Sequence, residues 1–138
     1  MDLEILKIAS NTENHKVIKN YTHYAKNKNP ICGDEMHISI VVKDDQIIDF
    51  GYQCKSCIYC QASISLLSKN SINKKILDLK SLLNAAVTFY EKEVGFFPKE
   101  WSVFNKIFNR KNSSRKECIL LPFKTLAKAL RFKLNERN

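Results

Sequence analysis

Residues 36–57, MHISIVVKDDQIIDFGYQCKSC, change their periodicity twice. From Met36 to Val42 apolar residues alternate and then run together, with β-branched types prominent; KDDQ interrupts them and IIDFGY resumes the same character. That pattern predicts a β-hairpin turning near Asp44 and Asp45. Beyond it, IYCQASISLLSKN sets Ile58, Ala62, Ile64 or Ser65, and Leu66 at helical spacing, so the strand hands over to a helix at Cys57 that ends at Lys69 and Asn70.

Outward from this segment the reading is mostly helical. Leu79, Leu82, Leu83, Ala86, Phe89 and Tyr90 mark a second helix, which GFFPKEW interrupts. Residues 100–110 predict a short helix carrying Trp101, Phe104 and Phe108, and NRKNSSRKE a polar loop. Phe123, Leu126, Ala127, Leu130 and Leu134 form one face of an amphipathic terminal helix. Pro122 is tolerated only in a first turn, so that helix is expected to begin about Leu120 or Leu121, with Cys118 at or just before its start. Before the hairpin, Leu3, Leu6, Ala9, Val17, Ile18, Tyr21 and Tyr24 predict one or two short helices.

The chain has 138 residues, 44% of them hydrophobic, with three Gly and three Pro. This suits one domain, 1–138, with a proper core. No run approaches the length of a membrane span, and MDLEILKIAS lacks the pattern of a signal peptide, so a soluble cytoplasmic protein with no membrane partner is expected. In that compartment five cysteines point to metal or sulfur chemistry more than to disulfides. The net charge of +9 would favour acidic partners, but the basic residues are scattered, as on a solvated surface, and nucleic acid is not the expected partner.

Three cysteines occupy comparable places: Cys32 in the Pro/Gly turn NPICGDEM (29–36), Cys57 at the strand-to-helix junction, and Cys118 near the start of the last helix. A helix N-terminus stabilises thiolate over thiol, which gives two of the three a reason to ionise. One carboxylate, Asp34, would complete a four-ligand tetrahedral zinc set. Each residue alone also has a plain structural reading, Asp34 as a turn residue and a cysteine as a small buried apolar group.

Together, NPICGDEM, CIYCQAS from Cys57, and RKEC with its following leucines from Arg115 resemble the three cysteine motifs of the U-type iron–sulfur cluster assembly proteins, the family of IscU, SufU and the NifU N-terminal domain. The likeness spans roughly residues 29–134. The long interval between Cys57 and Cys118, Glu117 where IscU-like proteins place a histidine, and NSSRKEC in place of a Leu-Pro-Pro-Val-Lys chaperone-binding segment are closer to the SufU branch. The resemblance implies an α+β fold, a small antiparallel sheet covered on one side by helices with a metal site at one tip. It implies ligands Cys32, Asp34, Cys57 and Cys118, holding zinc or a transient [2Fe–2S] cluster. It also implies a cysteine desulfurase partner whose persulfide sulfur passes to Cys32 or Cys118, and apoprotein or carrier clients. On this reading Pro30 and Gly33 shape the loop, and Asp34 keeps a cluster labile enough to pass on.

Cys54 and Cys60 lie outside the family's usual set. Cys60 falls one helical turn after Cys57 on its face, so these two stand either as extra cofactor ligands or as spare thiols. His37 is expected on a strand face and not as a ligand, and His15 and His23 have no evident partner. Only YTHYAKNK separates the N-terminal helix from the NPICGDEM loop, which implies a reduced sheet and an altered desulfurase docking surface. Two alternatives stay open: a zinc-stabilised nucleic-acid-binding module built on CKSCIYC, and a degenerate, metal-free member that only binds a partner.

Overall fold

Asp44 and Asp45 both adopt left-handed backbone (φ 52° and 61°), the conformation that a tight hairpin turn requires and that Asp tolerates better than most residues. They join strands β2 (Glu35–Lys43) and β3 (Gln46–Lys55), the hairpin expected from the sequence. The computed structural model describes residues 2–31, 33–91 and 97–134. Strand β1 (His23–Lys28) pairs antiparallel with β2, giving a three-stranded sheet in the order β1-β2-β3. Helix α1 (Leu3–Ala9) precedes the sheet, and α2 (Ile58–Ser71), α3 (Ile76–Thr88) and α4 (Lys116–Ala129) follow it. The fold is thus α+β.

Cross-strand partners Met36 and Cys54, Ile38 and Tyr52, and Ile40 and Phe50 share one sheet face, and all but Cys54 are buried in the core. Helices α2 and α4 pack on this face and on each other, and α1 packs on α2. The opposite face carries His37, Ser39 and Gly51 and is crossed by residues 16–18. There the Ile18 N–H donates to Ser39 Oγ at 3.4 Å. Between α3 and α4 lie 3₁₀ segments Lys99–Lys106 and Arg110–Arg115; Trp101 and Phe104 of the first and Phe108, between the two, belong to an aromatic cluster. Phe104 and Phe108 meet Phe123 of α4 edge-on, with ring centroids 5.6 and 5.1 Å apart. This packing fixes the helix that bears Cys118.

The structure corrects several expectations. Tyr21 and Tyr24 do not belong to a helix, because both are nearly half exposed and so their spacing marks no core face; YTHYAKNK supplies β1, and the sheet is not reduced to a hairpin. The expected helix over 100–110 is 3₁₀ and ends at Lys106, and part of the polar loop is itself 3₁₀. Helix α4 starts at Lys116, with Pro122 in its interior. A proline there costs roughly 3 kcal/mol, but Ile119, Leu121 and Phe123 are buried around it, and each such side chain contributes about 1.5–3 kcal/mol. Burial therefore outweighs the lost hydrogen bond, and Cys118 sits inside the first turn. Part of GFFPKEW, residues 95 and 96, lies outside the described residues.

A Cβ at Gly51 would meet the Lys16 carbonyl oxygen at 2.7 Å and Ile18 Cγ1 at 3.0 Å. Gly51→Ala is expected to lift the crossing segment and lower stability by about 1–3 kcal/mol, read as a reduced urea midpoint with an unchanged slope.

Candidate metal centre

The loop before β2 is closed by one residue. Asn29 Oδ1 accepts from the Ile31 N–H at 3.0 Å, while its own N–H donates to the Asp34 carbonyl and its carbonyl accepts from the Gly33 N–H, both at 2.8 Å. Gly33 has φ +76°, a conformation that favours glycine. The clasp delivers Asp34 to the start of β2. Because β2 and β3 are paired to their ends, Asp34 there faces the segment that follows β3.

That segment begins α2. Cys57 is its N-cap residue, extended (φ −72°, ψ 168°), and its side chain makes no capping hydrogen bond. Its backbone N–H instead donates to Asp34 Oδ1 at 3.3 Å. The first turn of α4 brings Cys118, which is buried. One Asp34 oxygen and the Sγ atoms of Cys57 and Cys118 all lie within 4.8 Å of one another. Among the described residues no other set of three or more His, Cys, Asp or Glu donors comes together in this way.

The chemistry of this set suits a cation. Asp34 is 6% exposed and its Oδ2 is buried without a hydrogen-bond partner among the described residues. Leaving a buried carboxylate oxygen unsatisfied is costly, and a bound cation would remove the cost. Donors around a zinc or iron ion stand about 2.0–2.3 Å from it, hence less than about 4.6 Å from each other, so these three are at or near ligand spacing. They come from three segments far apart in the chain. Cys32, two residues before Asp34 in the same loop, lies outside the described residues.

Cys54 and Cys60 do not join the mutually close set. Cys60 is fully buried in the core, and burial pushes its thiol well up, with the neighbouring Asp34 charge adding to the shift. Cys54 is half-buried at the end of β3, and its thiol is raised for the same first reason. Ser56 lies near enough to both to favour their thiolates, although its buried Oγ makes no hydrogen bond within normal limits. His37 Nδ1 is 2.6 Å from Tyr24 Oη, His15 packs edge-on against Tyr52, and His23 Nδ1 is 2.8 Å from Thr22 Oγ1. Glu117 reaches Lys124 at 3.8 Å. The sequence reading missed Asn29, although an Asn opening a Pro/Gly turn is itself the mark of a side chain bonding its own loop.

The family model described as "NifU-like N terminal domain" matches residues 2–104. The iron-sulfur cluster assembly scaffold protein IscU of Thermotoga maritima is 27% identical over 128 residues, covering 92% of this chain and 89% of that protein. Two crystal structures are similar. A NifU-like protein (N-terminal) from Brucella abortus aligns with TM-score 0.85 at 23% identity, over 94% of this chain and 91% of that one. A putative iron-sulfur cluster assembly scaffold protein for the SUF system from Fervidobacterium islandicum aligns with TM-score 0.79 at 27% identity, over 94% and 96%.

Asn29→Ala keeps the two backbone bonds of the clasp and removes the one from the Ile31 N–H, so it should weaken zinc binding by about 2–10-fold, the worth of one hydrogen bond. Competition with a chromophoric chelator measures it, and unchanged affinity would remove Asn29 from the site.

Proposed function

Because the chain belongs to the NifU-like N-terminal domain family, we propose that it is an iron–sulfur cluster assembly protein, of the SufU-like kind, that handles sulfur and metal at Cys32, Asp34, Cys57 and Cys118. The observation that carries this reading is the meeting of Asp34, Cys57 and Cys118, with one Asp34 carboxylate oxygen, Oδ2, buried and unsatisfied among the described residues. The named relatives, a scaffold in Thermotoga and a putative SUF-system scaffold in Fervidobacterium, support the same assignment.

The sulfur comes from a partner cysteine desulfurase as a persulfide. A thiolate of this chain, Cys32 or Cys118, attacks the outer sulfur; a new S–S bond forms here, the partner's S–S bond breaks, and the partner leaves as thiolate. A zinc ion at the site would hold the accepting thiolate until exchange frees it. Where iron and sulfide are the cargo, the same residues hold the growing cluster, and the Asp34 oxygen is a weaker ligand for it than a fourth thiolate, which eases its transfer to client apoproteins or carriers. No observation favours the nucleic-acid module: Cys57 stands with Asp34 and Cys118, not in a ligand set built from CKSCIYC.

Metal and acid-labile sulfide analysis of protein purified with and without oxygen tests this. Tightly held zinc in both preparations, weakened in Asp34→Ala, marks the zinc relay; iron with sulfide in the anaerobic sample alone, held longer by Asp34→Ala, marks the scaffold. Absence of metal from both contradicts the proposal.

A further inference from the structure

Cys60 is a fully buried thiol that neither the ligand set nor sulfur acceptance uses. Its position relative to Cys57 is specific. Cys57 is the N-cap of α2 and Cys60 the third residue of the helix, so together they form a C-x-x-C pair whose first member is half-exposed and whose second is enclosed. Alpha carbons three apart at helical pitch are about 5 Å from each other, inside the roughly 4.4–6.8 Å range of disulfides. The Cys57 side chain is tied up by no capping bond. Cys57 Sγ is also within 4.8 Å of Cys118 Sγ. Sulfur arriving at Cys118 is therefore next to Cys57, and sulfur at Cys57 is one helical turn from Cys60.

Resting on the sulfur-accepting function above, we propose that Cys60 is a resolving thiol that reduces the delivered sulfur to sulfide. Delivered sulfur is at the persulfide level, whereas a cluster is built with sulfide, so an electron pair has to be supplied. In the first step the Cys57 thiolate attacks the outer sulfur of a Cys118 persulfide; the Cys118 S–S bond breaks and Cys118 returns to thiolate. In the second, Cys60 attacks the Cys57 sulfur. The Cys57–Cys60 bond forms, the outer sulfur keeps the electron pair of the broken bond, takes the Cys60 proton and leaves as hydrosulfide. Cys60 and Cys57 end as a disulfide, which a dithiol reductant must reopen before the next turnover. Burial of Cys60 keeps it from direct contact with outside thiols and oxidants.

Both thiols fall in one tryptic peptide, 56–69, with no other cysteine, so the products can be weighed. The intact protein is treated anaerobically, without added reductant, with glutathione persulfide in one arm and with a cysteine desulfurase plus cysteine in the other. Wild type is expected to release hydrosulfide in both arms, with peptide 56–69 lighter by two hydrogen atoms. Cys60→Ala should keep the extra sulfur on the protein and release hydrosulfide at least about tenfold more slowly. Persulfide that accumulates on wild type without that lighter peptide, or equal release by Cys60→Ala, overturns the proposal; the wild-type peptide decides it even if the variant folds poorly. Release that depends on Cys60 with glutathione persulfide but is absent with the desulfurase upholds the Cys57–Cys60 chemistry and overturns instead the desulfurase as sulfur source.

Discussion

The hydrogen bond from the Cys57 N–H to Asp34 Oδ1, 3.3 Å long, joins the loop that enters β2 to the helix that leaves β3. It uses one carboxylate oxygen to hold the two halves of the site together and leaves the other, buried, for something else. The pairing of β2 with β3 sets its ends at the right distance, and the Asn29 clasp with Gly33 sets its direction. Loss of either would move Asp34 away from Cys57 before any ligand chemistry began.

The third donor depends on packing far from the site. Cys118 is placed by α4, and α4 is placed by the Phe104 and Phe108 edges against Phe123 and by the apolar residues around Pro122. Electrostatics then sets a requirement. Two thiolates and a carboxylate so close repel one another, and the N-terminal ends of α2 and α4 offset this by only about 0.3–1 kcal/mol each. Zinc bound by cysteine-rich peptides contributes on the order of 10–16 kcal/mol, so a cation, and not the helix dipoles, is what can hold these three donors ionised together.

The hairpin and the start of α2 were legible because β-branched alternation, two consecutive aspartates and a change of period leave local marks in the chain. Strand β1 was not, since Tyr21 and Tyr24 imitate helical spacing while facing solvent and Ala25 alone of its residues is buried. The start of α4 was misplaced by applying a local proline rule where core burial decides. Asp34, Cys57 and Cys118 could be singled out because each stands at the edge of an element. The clasp by Asn29 is local and was legible in principle, but the different partners of the two Asp34 oxygens and the enclosure of Cys60 arise only when distant segments meet, and no spacing along the chain encodes them.

X-ray absorption at the metal edge of the purified protein tests the central claim most directly, because it reads the donor atoms themselves. The account predicts a shell dominated by sulfur at about 2.3 Å with one lighter donor at about 2.0–2.2 Å that is lost in Asp34→Ala. A shell made only of oxygen and nitrogen, or one that Asp34→Ala leaves unchanged, would contradict it.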